Sequence, residues 1–240
     1  VGAVSERDKP LGIKAYGHIG LLPGSRVGPG DHHVHEGQAR IATEKLRDRH
    51  DRVIVQEKLD GSCVAVAKID GQLVPLIRAG YPADASYYPM HHLFATWARE
   101  RWDLFDGLLA EGERVVGEWL AQAHGTRYDL TDRDPFVAFD IMTGIVRVPC
   151  QEFYGRIIRA GLAGPTQINL GEPLSIDEAM SRLKTYGFYG ALDPVEGAVW
   201  RVERDGVVDF LCKFVRPDKV DGRYLSEPEP VWNWRPSDAV

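Results

Sequence analysis

Residues 53–78 read VIVQEKLDGSCVAVAKIDGQLVPLIR. Ser62 to Ile69 is β-branched and alternating, and Gln72 to Arg78 is a second run of the same kind. Two such runs around Asp70-Gly71 predict a β-hairpin. Val53 to Gln56 predicts a short apolar strand before it. Between strand and hairpin lies Glu57-Lys58-Leu59-Asp60-Gly61-Ser62. Gly61 permits a tight backbone turn. Lys58 is thereby presented at a sheet edge, with Asp60 two residues on to hold the loop.

Working outward, the pattern stays mixed. The first fifty residues are rich in Gly, Pro and His, which is loop chemistry with short ordered pieces. The charged stretch Thr43 to Arg52 reads as a short exposed helix or a solvated turn. His91 to Leu109 carries Leu93, Phe94, Trp97, Leu104, Phe105, Leu108 and Leu109 at helical spacing. Trp97 and Trp102 read as packing residues rather than base-stacking ones. Strands follow at Val115–Leu120, Phe136–Met142 and Ile145–Val148, the last two joined by Thr143-Gly144. A helix spans about Gln151 to Ala160, between Pro149 and Gly161. Ser175-Ile176-Asp177-Glu178 is a capping box that starts a helix ending near Gly187. Ala198–Glu203 and Val207–Phe214 flank Asp205-Gly206, a second hairpin. The tail from Ser226, with Trp232 and Trp234, reads as irregular.

Many antiparallel strands with a few inserted helices mean α+β rather than alternating βαβ. The expected organisation is a loop-rich extension over 1–52 belonging to the same domain, a main domain over 53–225 and an irregular tail over 226–240.

Composition limits the function. The 240 residues are 44% hydrophobic and 27% charged, which excludes collagen-like and wholly disordered chains. No stretch approaches the roughly 18 apolar residues of a membrane helix, and the polar N-terminus is not a signal peptide. Three cysteines (Cys63, Cys150, Cys212) argue against a disulfide framework or a four-cysteine zinc site. A cytoplasmic protein with no membrane partner is expected. The formal net charge is -6, so any nucleic acid must be held by a local basic patch or by chemistry in a cleft. There is no Walker loop and no Rossmann fingerprint.

A lysine is nucleophilic only when neutral, and its reference pKa is about 10.4. Desolvation or nearby positive charge must lower it. Alone, Lys-x-Asp-Gly is an ordinary charged turn. Here it is followed in order by Arg78-Ala79-Gly80, Gly117-Glu118-Trp119, Phe136-Val137-Ala138-Phe139-Asp140-Ile141, Glu196-Gly197-Ala198-Val199 and Lys213-Phe214-Val215-Arg216. The ordered set resembles the covalent lysyl-nucleotidyltransferase superfamily of ATP-dependent DNA ligases, RNA ligases and mRNA capping enzymes. Glu57 before the lysine and the Ala-Phe-Asp-Ile block look most like the RNA ligases, near the phage-type strand-repair branch. The resemblance runs from about Val53 to Lys219.

The resemblance implies an adenylyltransferase (ATP-grasp-like) fold, two antiparallel sheets with flanking helices and the nucleotide between them. It implies ATP and Mg²⁺ or Mn²⁺ as cofactors. Lys58 would take AMP from ATP as lysyl-AMP. Glu57 would lie against the adenine, reading it largely through its backbone carbonyl, Arg78 would contact ribose or departing phosphates, and Glu118 would bind the ribose hydroxyls. Phe139 would stack on adenine and Glu196 would help place the metal. Lys213 would hold the α-phosphate and keep Lys58 neutral. Taken singly, Phe139 also reads as a core residue, and Glu118 and Glu196 as surface carboxylates. The implied function is ATP-dependent sealing of 5′-phosphate and 3′-hydroxyl RNA ends, as in RNA repair. Rival readings are a GTP-dependent capping-type enzyme, a DNA nick ligase, and a non-sealing nucleotide- or RNA-binding module. Protein-directed adenylyl transfer stays open.

Two departures stand out. Many relatives carry a second lysine where this chain has Val215, and the next basic residues are Arg216 and Lys219. Arg216 is therefore a weaker phosphate candidate than Lys213. About 20 residues follow Lys219, too few for an OB domain, so the expectation is either weak nucleic-acid affinity or a partner protein that supplies the grip. Lys14–Ile19 and Leu22–Arg26 also resemble segments before the lysine motif in RNA ligase-like proteins. His32, His33, His35 and Glu36 have metal-like spacing, but a solvated loop is the preferred reading. His124-Gly125-Thr126-Arg127-Tyr128 either lines the phosphate path or forms a turn.

Overall fold

A computed structural model describes residues 8–225 and 227–236. The beginning of the polar N-terminus and parts of the expected 226–240 tail lie outside the described residues. In chain order the elements are β1 (Gly20–Leu21), α1 (Glu36–Thr43), β2 (Asp51–Lys58), β3 (Ser62–Ile69) and β4 (Gln72–Ile77). A 3₁₀ turn at Ala83–Ala85 leads to α2 (Pro89–Arg99), α3 (Trp102–Leu108), β5 (Glu113–Trp119), β6 (Phe136–Thr143) and β7 (Val146–Arg147). Then come α4 (Cys150–Arg159), β8 (Gln167–Gly171), α5 (Ile176–Leu183), β9 (Gly197–Arg204) and β10 (Val207–Val215). They build two five-stranded sheets, β1-β10-β9-β2-β8 and β4-β3-β5-β6-β7.

The expected α+β class holds, with one correction to the sheets. β1 runs parallel to β10, placing Gly20 opposite Cys212 and Leu21 opposite Lys213. The other pairs are antiparallel. Hairpin partners must be antiparallel, whereas a segment distant in sequence can join an edge in either direction. Asp70-Gly71 and Asp205-Gly206 turn both hairpins, with φ of 50° and 70° in the first and 49° and 75° in the second. Positive φ at both central residues is what a two-residue type I′ turn requires.

The chain divides into two compact, interleaved units. One, the hairpin unit, comprises Val1–Gly17, Ser62–Gln122 and Asp134–Gly164. Its core is aromatic. Phe94, Trp97, Phe105, Trp119 and Phe136 are at most 2% exposed, with ring centroids 5.4–6.4 Å apart. Such pairs add about 0.5–1.5 kcal/mol each beyond area burial. The helix expected over 91–109 is broken after Arg99. Arg101 leaves the helical region, its guanidinium stacks 4.4 Å over Trp97, and its carbonyl accepts from Leu104 and Phe105 N–H. The redirected α3 then buries Phe105 and Leu108.

The other, the lysine unit, comprises His18–Gly61, Ala123–Arg133 and Pro165–Val240. Val53, Ile54, Val55, Trp200 and Val202 are fully buried in its sheet, and the Trp200 indole N–H donates to Leu174 O at 2.8 Å. Ala39 and Ala42 of α1, and Ala179 and Leu183 of α5, are buried. Ser175 caps α5 as the sequence requires, accepting from Glu178 N–H at 3.3 Å. The helix stops at Leu183, short of Gly187, because Lys184 takes φ 57°. β8 was not expected. It is an edge strand with Leu170 exposed, so it lacks the apolar alternation that marks half-buried strands.

Candidate functional site

In the lysine unit, β2 pairs with β9, and β9 pairs with β10. Lys58 ends β2 opposite Gly197, and Gly197 is opposite Val215. Val199, two residues along, faces Lys213. Lys58 and Lys213 therefore project from the same face of three neighbouring strands. Glu196, just before β9, reaches the same place: Lys58 Nζ donates to its Oε2 at 2.6 Å. Lys213 Nζ lies 3.4 Å from Asp31 Oδ1, from the loop after β1.

The electrostatics of this cluster are set by burial. Desolvation raises the Glu196 pKa, and the charge of Lys58 opposes the rise. Desolvation and then the Lys58 charge lower the Lys213 pKa, against Asp31 and Glu196. Two ammonium groups thus share one surface with two carboxylates.

Glu57 points away from this face because side chains alternate along a strand. It is 2% exposed, and its Oε2 accepts from Phe188 N–H at 3.0 Å. Burial pushes its carboxyl up to about 7, against hydrogen bonds from the Phe188 and Tyr189 amides. A Cβ on Gly187 would stand 2.0 Å from Glu57 Oε1, so only glycine lets the 187–188 turn close over the carboxyl. The side chain of Glu57 is thereby committed to its own unit.

Arg216 has a bracing contact. Its Nε donates to Val195 O at 2.7 Å and its Nη1 pairs with Asp218 at 3.1 Å, while its N–H donates to Glu196 O. Those bonds fix the segment that carries Glu196. Lys219 is 4% exposed, and its Nζ is 2.6 Å from Asp60 Oδ2 and bonded to Thr126 Oγ1. Asp60 also accepts from Gly125 N–H at 2.9 Å and donates its own N–H to the Tyr128 hydroxyl at 2.9 Å. Residues 124–128 are therefore a brace on the Lys58 loop. Burial lowers the His124 pKa, and burial raises that of Tyr128. Sequence spacing did not reveal this brace, since its parts lie far apart in the chain.

Arg78, Glu118 and Phe139 belong to the hairpin unit. Glu118 faces Cys63 across β5–β3, and Arg78 N–H donates to Cys63 O at 3.1 Å. Arg78, Cys63, Glu118 and Val137 thus form one row across the sheet. The Arg78 guanidinium donates to Gly17 O at 3.2 Å. Phe139 is half-buried rather than core. It sits at an irregularity where Gly117 pairs with Ala138 and Val116 with Asp140, leaving Phe139 out of the ladder. A bulge of this kind re-aims a side chain. The Tyr16 ring meets Phe139 edge-on at 5.1 Å, and its hydroxyl donates to Asp140 Oδ2 at 2.7 Å.

The described residues hold no group of three or more His, Cys, Asp or Glu side chains placed to bind a metal ion. His33 lies in a bridge with Leu21, and His35 precedes α1 with its N–H donating to Gln38 Oε1 at 3.3 Å. No helix among the described residues is long and apolar enough to cross a membrane.

A family model for RNA ligase matches residues 51–215. No curated protein sequence matches the chain. The Naegleria gruberi RNA ligase with PPi is similar in fold, with a TM-score of 0.57 at 14% identity over 82% of this chain and 58% of that one. A protein from Aquifex aeolicus, provisionally an ATP-dependent DNA ligase, gives 0.54 at 16% identity over 83% and 49%. An archaeal ATP-dependent RNA ligase gives 0.44 at 20% identity over 69% and 42%. The chain spans about half the length of these solved structures. With the family matched from the start of β2 to the end of β10, the chain belongs to the RNA ligase family.

Proposed function

We propose that this protein is an ATP-dependent RNA ligase-like enzyme that adenylylates itself on Lys58. The observation that carries the reading is the cluster of Lys58, Glu196 and Lys213 on one face of β2, β9 and β10, with Lys58 2.6 Å from Glu196. The Lys58 ammonium first gives a proton to solvent, a loss that the like charge of Lys213 favours and the Glu196 carboxylate at 2.6 Å opposes. Its Nζ then attacks the α-phosphorus of ATP. A P–N bond forms, the P–O bond to pyrophosphate breaks, and pyrophosphate leaves. Lys213 holds the α-phosphate where negative charge grows. Arg78 and Glu118 as nucleotide contacts, and Phe139 as a stacking ring, rest on the family resemblance. In later steps AMP passes to a 5′-phosphate end, and a 3′-hydroxyl displaces it.

A divalent ion fits the residues present only in the manner of Mg²⁺ or Mn²⁺. Such ions keep several waters and need one or two carboxylates beside substrate phosphates. Glu196 is the buried carboxylate in position to hold one, and the ion would supply charge neutralisation at the phosphates. A mutant of the Naegleria gruberi ligase was solved with ATP and Mn, which supports this choice of cofactors. RNA is the proposed substrate, on family grounds.

The test is incubation with α-labelled ATP, and separately GTP, in the presence of Mg²⁺. Acid-precipitable, protein-bound label from ATP that is absent in Lys58→Ala is the expected result. Label from GTP alone would replace this reading with the capping-type reaction. No label on folded protein would replace it with nucleotide binding.

A further inference from the structure

Lys219 lies outside the segment that matches the RNA ligase family, yet it is among the most buried charged groups of the lysine unit. Burying an ammonium costs several kcal/mol unless it is paired and hydrogen-bonded. Lys219 is both. Asp60 Oδ2 at 2.6 Å supplies the charge, and Thr126 Oγ1 a second acceptor. Asp60 stands two residues beyond Lys58, at the bend that ends β2. Its remaining bonds go to Gly125 N–H and the Tyr128 hydroxyl. Gly125 has no room for a side chain, since a Cβ would stand 2.5 Å from Val220 O and 2.9 Å from both Asp60 Oδ2 and Lys219 Cε. Two distant segments, 124–128 and the one carrying Lys219, therefore converge on Asp60 of the lysine loop.

We infer that Lys219 is a positioning residue for Lys58: through Asp60 and Thr126 it locks the Leu59-Asp60-Gly61 turn so that the Lys58 amine is held ready for attack. Lys219 serves here not as a phosphate ligand but as the clamp behind the nucleophile. A locked near-attack geometry raises the rate of the chemical step without tightening substrate binding.

The inference rests on the self-adenylylation reading, so the test has two arms. In the first, labelling from α-labelled ATP is followed against ATP concentration. Lys219→Met is expected to lower the maximal rate at least tenfold, with the half-saturating ATP concentration within about twofold of the parent. In an Asp60→Asn background the same substitution is expected to cost nothing further. Thr126→Val, which keeps the ion pair, is expected to show a smaller loss of the same kind. It also serves if Lys219→Met does not fold. An unchanged maximal rate with a raised half-saturating ATP concentration would overturn the proposal in favour of direct phosphate binding. So would an undiminished effect in the Asp60→Asn background. The second arm needs no activity. Amide hydrogen exchange at residues 59–61 is expected to speed up in Lys219→Met or Thr126→Val while β3–β6 stay unchanged. If the parent takes no label, the self-adenylylation reading fails and exchange alone decides the clamp. Unchanged exchange at 59–61 overturns it.

Discussion

The two units have five strands each, yet different forces hold them. The hairpin unit centres on five interlocked aromatic rings, none more than 2% exposed. Its polar contacts include Tyr16 and Arg147 on the buried Asp140, and Arg156 on Glu113. The lysine unit instead sets three lysines against three carboxylates: Lys58 with Glu196, Lys213 with Asp31 and Lys219 with Asp60. Farther along the same sheet, Asp51 takes Arg47 and Arg204 together. Apolar packing is indifferent to pH and tolerant of orientation. Ion pairs in low dielectric fix geometry and carry a protonation state. The paired lysines and carboxylates thus concentrate in the lysine unit.

The largest expected effect beyond loss of labelling in Lys58→Ala falls on the aromatic core. Trp119→Ala should destabilise the protein by about 3–5 kcal/mol, measured by denaturant unfolding. A loss below about 1 kcal/mol would mean the rings are not the main support of the hairpin unit.

The pH dependence should come from the lysine unit. The Glu57 pKa is raised from about 4.5 to about 7, so the folded state holds that proton more tightly than the unfolded state. Its contribution to stability is present below about 4.5 and declines as pH rises through about 7, by up to about 3 kcal/mol. Glu57→Gln should remove the slope, and an unaltered pH profile would reject this assignment.

Asp51 works in the opposite sense. Burial would raise its pKa, but Arg47 and Arg204 outweigh it and hold the carboxylate at about 2. Its contribution is present above the ordinary carboxylate value and is lost as pH falls through about 2. Asp51→Asn should cost about 1–2 kcal/mol at neutral pH, discounted because both arginines are partly exposed, and should flatten the acid limb of the stability curve.

The smallest expected effect is at Asp31. Its carboxylate pairs with Lys213, so under the proposed function Asp31→Asn should lower the half-saturating ATP concentration by about twofold to fivefold, on the order of 0.4–1 kcal/mol. A raised concentration would show that Asp31 instead orients Lys213 productively.

Local chemistry was legible where neighbours in sequence are neighbours in space. Asp70-Gly71 and Asp205-Gly206 announce their hairpins because left-handed backbone at two successive residues needs those types. Ser175 and Glu178 announce the start of α5. The parallel β1, the edge strand β8 and the break after Arg99 were not legible, since each is decided by a distant surface. Of the candidate residues, Lys58, Glu196 and Lys213 converge, while Glu57 turns its carboxyl to the 187–188 turn and Arg216 braces Val195.

By itself the sequence determined the α+β class, the hairpins, the order of the short motifs and the residue types able to carry phosphate chemistry. These depend on turn stereochemistry, side-chain alternation and the ionisable groups themselves. Only the tertiary structure decided which charges meet. That Lys219 finds Asp60, that Asp31 finds Lys213, and that Phe139 leaves its ladder depend on strand register and on segments far apart in the chain, and local propensity encodes neither.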